Sequence, residues 1–404
     1  DVYNTAVGHG AGAVVTTGIE NTLIGGLAGV ALTDADYNVA LGARALGSDT
    51  LGSRSVAIGR SALESQNFTT ATDAYNVAVG MAAGVSVTTG DLNTLIGGLA
   101  GDALTSGNGN VAVGYNTLGA DTLGDRNVAL GNHALSSQNF TTTTDAYNVA
   151  VGFLTGASVT TGTQNTFVGG QAGDGTDDGN NNTAVGYLAL SANCGNDNTA
   201  VGLETLKVCT GTGNTAMGKN AGNALTSGSN ILLLGKDAGL TGSPGGEYTT
   251  GSNAMTLGDE SIANAYIQVD WTVTSDERDK TDFTELDIGL DFVKAMKPYT
   301  FRWDKRSKYG DKKADGYDLD AITSDGTHKE DWLDLGFKAQ DVKALEEAAN
   351  YKIADKTNLT VSITDDGKQY GMKYAKLVPV LVKAIQEQNA LIESLAARVA
   401  TLEG

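Results

Sequence analysis

The segment Ser275-Asp276-Glu277-Arg278-Asp279-Lys280 puts a hydroxyl and an amine five positions apart. A serine hydroxyl is a poor nucleophile until a base takes its proton. A lysine amine is such a base only when burial or neighbouring cations lower its pKa from ~10.4 toward neutrality. The five-residue separation does not by itself join the two; a turn must do so. Read alone, these charges describe a solvated turn.

Other chemistry-bearing residues are scattered. Asp174, Asp177 and Asp178 resemble a calcium loop, but they lack the EF-hand spacing and the nonapeptide calcium repeat, so they read as a solvated turn. His9, His133 and His328 are too far apart in sequence to suggest a metal triad, and neither metal nor cofactor is expected. Cys194 and Cys209 sit one repeat apart and read as two small buried thiols rather than a disulfide. The Val-Thr-Thr triplets at 15–17, 87–89 and 159–161 are too sparse for an ice-binding array. Glycan hydrolysis needs paired carboxylates in a cleft. The acids here lie mostly in turns of uniform repeats, so no turnover enzyme is expected in this region.

The elements that must position these groups follow from composition and period. Glycine is 54 of 404 residues and proline only 3, which excludes collagen. Aromatic residues are 6%, too few for a large globular core in the glycine-rich part. Net charge is -20, which argues against a nucleic-acid partner. Residues 1–274 carry 7 Lys+Arg against 22 Asp+Glu, and residues 275–404 carry 20 against 25. The N-terminal part should therefore repel its own kind. No apolar run is long enough to span a membrane, and membrane insertion is not expected. The chain begins at Asp1 without a signal peptide and reads as a piece of a longer protein.

A pentapeptide of the form Asn-Thr/Val-Ala/Leu-aliphatic-Gly begins at Asn4 and recurs at Asn21, Asn38, Asn76, Asn93, Asn110, Asn127, Asn148, Asn165, Asn182, Asn198 and Asn214. Ser55 takes the Asn place once, and Asn230 and Asn253 begin degenerate copies. The steps are 17, 17, 17 and 21, repeated once, then 17, 17 and three of 16, giving a 72-residue super-repeat that relates Asn4, Asn76 and Asn148. Within a unit the Thr and Val share one face, with Ala and Asn on the other. A unit this short cannot bury its apolar side alone, but stacked units can. Helix is disfavoured by the Gly, Thr, Val and Asn content. The expectation is a mostly β repetitive fibre over residues 1–252: a β-solenoid or β-roll, which the resemblances given below imply to be trimeric, or its three-chain equivalent, an interwound β-helix. Asn should stack as an amide ladder, glycine should make the corners, and the 21-residue steps should carry small outward loops such as 66–74.

Residues 253–274 read as a β junction, with Ile267, Val269, Trp271 and Val273 alternating as a half-exposed strand. From 275 lysine becomes frequent and aromatics cluster at Tyr299, Phe301 and Trp303. Residues 275–404 are expected to form an α+β domain ending in a coiled coil at 375–403. Val378, Ile385, Ile392 and Val399 take a positions; Leu381, Gln388, Leu395 and Leu402 take d positions. β-Branched a with Leu at d favours two strands, while Ala384 and Leu391 at g argue for more. Polar Gln388 is suited to set register.

Two resemblances bear on these readings. The pentapeptides resemble the head repeats of trimeric autotransporter adhesins, which read NxxAxG or SxAxG. The segment Ser275-Asp276-x-Arg278-x-Lys280 resembles the SDxRxK start of the intramolecular chaperone domain of phage tailspikes and tail fibres, also called the S74 peptidase. The likeness continues through 296–305, 335–345 and 370–403. Asp279 stands where that family usually has an aliphatic residue, which bears on local packing. This resemblance implies a homotrimer and a Ser-Lys dyad. Ser275 would attack the carbonyl of Thr274 with Lys280 as general base, cutting the Thr274–Ser275 bond in one turnover, while Asp276 and Arg278 orient the turn. It further implies a tail fibre or tailspike shaft for host-surface attachment, on the virion tail or otherwise extracellular. The partners would be a host receptor or glycan and other virion or appendage proteins at the N-terminal side. The alternative is a non-viral or uncleaved appendage that keeps the domain as a trimer clamp.

Overall fold

The computed structural model describes residues 2–268, 271–312, 314 and 316–403. They divide into two units, Asp1–Leu240 with Tyr248–Gly258, and Thr241–Glu247 with Asp259–Gly404.

The first unit is a β-solenoid. Fifteen short strands, from Thr5–Val7 to Ala254–Leu257, form one parallel sheet in which each strand pairs with its counterpart in the next turn. Thr5 pairs with Thr22, Val128 with Val149 and Thr199 with Thr215, so steps of 17, 21 and 16 residues all keep register. Ladder partners lie in the same chain, so each chain winds its own roll and the interwound alternative falls away. In the three-residue strands after the first, the middle residue points inward and its neighbours outward, as the period of two requires.

Two inward columns fill the narrow core by complementary volume. Where the strand centre is Ala40, Ala57, Ala112, Ala129 or Ala184, the turn brings in Leu46, Leu63, Leu118, Leu135 or Leu190, all buried. Where the centre is Leu23, Leu95 or Phe167, the turn residue is glycine. A Cβ on Gly29 or Gly101 would come within 2.8 Å of the Leu23 or Leu95 methyls, and one on Gly173 within 2.7 Å of the Phe167 ring. Where both places are small, as at Ala78 with Gly84 and Ala150 with Gly156, large side chains of the adjoining turns fill the space: a Cβ on Gly84 would meet Leu95 and Leu63, and one on Gly156 Leu135 and Phe167.

Glycine does not make all the corners. The residue before each Asn turns with a left-handed φ, and it is often Tyr or Arg: 60° at Tyr37, 65° at Arg54, 50° at Tyr75 and 51° at Tyr147. Such a conformation costs on the order of 1 kcal/mol. Here backbone bonds to the previous turn hold it, as from Tyr37 N to Ile19 O at 3.0 Å.

The 21-residue steps are tied inward as well as looped outward. Thr69, Thr70 and Ala71 are exposed, but Gln66, Phe68 and Ala74 are buried, and Thr72–Asp73 pairs in parallel with Gly52–Ser53. The second long step repeats this, with Gln138, Phe140 and Ala146 buried and Thr144–Asp145 paired with Gly124–Asp125.

The second unit packs three helices, α1 (Leu290–Ala295), α2 (Ala339–Ala348) and α3 (Leu377–Glu403), with two antiparallel strand pairs. Its core gathers Ile288, Phe292, Val342, Val361 and Val380. Gly289 offers no side chain to cap α1; Glu387 of α3 does so instead, its carboxylate accepting from Leu290 N at 2.7 Å. The strand expected near 267–273 is not formed at its described residues, 267, 268 and 271–273. Their backbone finds no ladder partner in this chain, and Trp271 and Val273 stand 68% and 80% exposed. Val269 and Asp270 lie outside the described residues.

Candidate functional site

Ser275 and Lys280 flank a single turn of 3-10 helix, Glu277–Asp279. Asp276 caps it: Arg278 N donates to Asp276 Oδ1 at 2.9 Å, while the Arg278 guanidinium grips both carboxylate oxygens, with Nη2 to Oδ2 at 2.6 Å. These bonds hold the Asp276 carboxyl below the usual range. Lys280 N closes the turn on Glu277 O at 3.1 Å. One helical turn then brings the five-residue separation to contact. Lys280 Nζ lies 2.5 Å from Ser275 Oγ and 3.1 Å from Ser275 O. Both side chains are exposed in the single chain. The geometry brings a nucleophile-type oxygen to a base-type nitrogen. Asp279 is exposed, so the departure from an aliphatic residue leaves no hole in this unit.

The α3 residues at the heptad positions form an uncovered apolar stripe. Val378, Leu381, Ile385, Ile392, Leu395, Val399 and Leu402 are all exposed, and so is Gln388's neighbour Leu391. Ala384 does not widen this stripe as its heptad place suggested. It is buried with Leu377 and Val380 on the flank beside the stripe, against its own unit.

The second unit also holds an aromatic cavity of about 850 Å³, lined by Tyr299, Phe301, Trp303, Trp332, Phe337 and Tyr374 among others. Of these the sequence singled out only the first three. Nor did it single out Glu346. That carboxylate is buried and accepts from Thr360 N at 2.6 Å, Thr360 Oγ1 at 2.5 Å and Leu359 N at 3.2 Å, pinning the approach to the Val361–Ile363 strand.

In the first unit, the Asn column is buried from Asn21 to Asn214. The ladder differs in kind from side-chain amide stacking. Each Oδ1 typically accepts from the next Asn's backbone N–H, as Asn76 Oδ1 does from Asn93 N at 2.9 Å. Each Nδ2 typically donates to a carbonyl of the next turn, as Asn76 does to Gly90 O at 2.7 Å. Asn182 Nδ2 finds no partner, whereas Asn198, also followed by a 16-residue step, donates to Gly211 O at 2.9 Å.

A second buried column carries polar groups once per super-repeat. Gln66 Nε2 donates to Asp49 Oδ2 at 2.6 Å and Gln66 Oε1 accepts from Asn76 Nδ2 at 2.9 Å. Gln138 does the same between Asp121 and Asn148, at 2.6 and 2.8 Å. Burial pushes the Asp121 carboxyl up, against the hydrogen bonds of Gln138 and two backbone amides. Cys194 and Cys209 continue this column as free buried thiols, with Cys194 pushed up to about 11 by burial. Asp174 and Asp177 are spent on contacts between turns, Asp174 Oδ1 accepting from Ser191 Oγ at 2.6 Å and Asp177 from Thr160 Oγ1. Among the described residues no group of three or more His, Cys, Asp or Glu is placed to hold a metal, and no helix is long and apolar enough to cross a membrane.

Residues 275–351 match the family model described as chaperone of endosialidase, Peptidase_S74. The chain carries a chaperone-of-endosialidase domain behind a β-solenoid. The match begins at Ser275, the residue that Lys280 contacts. This family is autoproteolytic, and with the solenoid it fits a tail-fibre-like protein with a C-terminal chaperone. No curated protein and no solved structure gives a significant match to the chain.

Proposed function

We propose that this chain is the subunit of a trimeric fibre for host-surface attachment, assembled by its chaperone domain and then freed by one self-cleavage at Thr274–Ser275. The observation that carries the cleavage is the 2.5 Å approach of Lys280 Nζ to Ser275 Oγ, at the boundary where the chaperone match starts. In the reaction Lys280 takes the hydroxyl proton as Oγ attacks the Thr274 carbonyl carbon. The C–N bond breaks, the proton passes to the Ser275 amide nitrogen, and water hydrolyses the resulting ester. Lysine needs a lowered pKa for this role. A neighbouring chain packed over the exposed turn would supply the burial, making the cut follow assembly. The exposed stripe of α3 supports the trimer, because a 27-residue helix with so long an apolar face ordinarily has that face covered by a partner.

Expression of the wild type beside Ser275→Ala tests this. The wild type should run under denaturing conditions as two fragments, the smaller beginning at Ser275, and Ser275→Ala as one chain of 41.4 kDa. An intact wild type in a trimeric assembly would instead favour an uncleaved appendage that keeps the domain as a clamp.

A further inference from the structure

The outer face of the solenoid sheet carries two residues from each of the fifteen strands. Every one is Val, Ile, Leu, Met or Thr, from Thr5 and Val7 to Met255 and Leu257, and none is charged. None is buried: Val7 is 59% exposed, Leu41 43%, Ile96 39% and Met217 50%. Fourteen rung spacings of ~4.8 Å make this an apolar ribbon about 65 Å long. Isolated soluble proteins rarely leave so large a contiguous apolar patch in water. Other outward columns of the same unit differ. The column before each Asn holds Glu20, Arg54, Arg126 and Asp197, and the column after each strand glycine holds Arg60, Lys219 and Lys236.

We propose that this ribbon is the surface along which copies of the solenoid pack, in parallel and in register, around the fibre axis. The inference rests on the trimer reading above and adds which face meets the partner. Two features select another copy as the occupant. The chain is strongly acidic up to residue 274, with 7 Lys+Arg against 22 Asp+Glu, so a second copy of the solenoid is repelled except along a charge-free face. The rungs also repeat at one fixed spacing, while the turns between them vary from 16 to 23 residues. Only a surface with the same rung period and length covers the whole ribbon without losing step.

Thiol labelling separates the outcomes. Ile96→Cys places a thiol on the ribbon, and Val185→Cys repeats the test farther along. Thr142→Cys places one on an exposed loop tip. The native Cys194 and Cys209 are buried and set a low background. In full-length protein whose trimeric mass is established by light scattering, maleimide should modify either ribbon thiol at least about tenfold more slowly than Thr142→Cys, with the difference lost on denaturation. Equal labelling within a trimer overturns the ribbon as interface and leaves the trimer reading intact. A monomeric mass overturns both.

Discussion

The sequence marked Ser275 and Lys280 as candidates, but their contact was not legible in it. The types and order in Ser275-Asp276-x-Arg278-x-Lys280 marked the segment, and its five-residue spacing allowed many geometries. The Asp276 cap and its Arg278 fork select one of them, a single 3-10 turn. Lys280→Arg tests whether the amine acts as a base rather than as a positive charge. Arginine keeps the charge and can donate to Ser275, but it is not deprotonated in proteins. The expected outcome is an intact chain on a denaturing gel with the assembled mass unchanged. The Asp121–Gln138–Asn148 bridge was not legible, because polar residues at one place of a turn-rich repeat look solvated until the column is seen to be buried. Gln138→Leu should cost on the order of 2 kcal/mol by removing its bonds to Asp121 and Asn148. It should also make stability depend on pH. Burial raises the Asp121 carboxyl above its unfolded value, and loss of the Gln138 donor raises it further. Such a group adds stability below its unfolded pKa and loses it as pH rises through the folded one. Melting of the variant should therefore fall further behind the wild type at about pH 8 than at about pH 5.

At the scale of elements, the strands and α3 were readable because their periods are strong. The 16- and 17-residue steps place every strand within one repeat, and alternation sets its faces. Non-glycine corners were missed, since nothing in the composition of Tyr37 or Arg54 announces a left-handed φ; the stacked turns impose it. The strand expected near 267–273 failed for a related reason, because alternation identifies faces but not a hydrogen-bonding partner. The heptad reading of α3 picked apolar residues that stand exposed in the chain, but it counted Ala384 with them, and Ala384 is buried. Ala384 shares an i, i+4 row with Val380, which joins the unit's own core. Two substitutions should separate the faces. Val380→Asp buries a charge and should unfold the second unit, by more than about 3 kcal/mol. Ile392→Asp lies on the exposed stripe and should leave the monomer's circular dichroism unchanged while abolishing trimers in sedimentation. Retention of trimers in Ile392→Asp would remove this stripe from the assembly.

At the scale of the whole molecule, a solenoid is legible because its contacts are one turn long, so a repeat in sequence is a repeat in space. The second unit is less so, since contacts such as Glu387 with Leu290 join residues distant in sequence. A one-dimensional stack also has a mechanical consequence, because each turn is held only by its two neighbours. The glycine that ends each strand sits against the backbone of the next turn. A Cβ on Gly97 would meet Gly114 O at 2.2 Å, and one on Gly8 would meet Gly25 O at 2.5 Å, each at a φ near 135° that other residues avoid. The local insult is alike, but the position differs. Gly8→Ala lies in the first turn, where loss of one interface only frays the end. Gly97→Ala lies in the interior, where loss of one interface divides the stack into two shorter ones, each with a new uncovered core. The interior variant should expose backbone amides on both sides of residue 97 to rapid hydrogen exchange, over several turns. The terminal variant should confine rapid exchange to the first turn. Equal, local exchange in both variants would mean that each turn is stable by itself, contrary to a core this narrow being shared between neighbours.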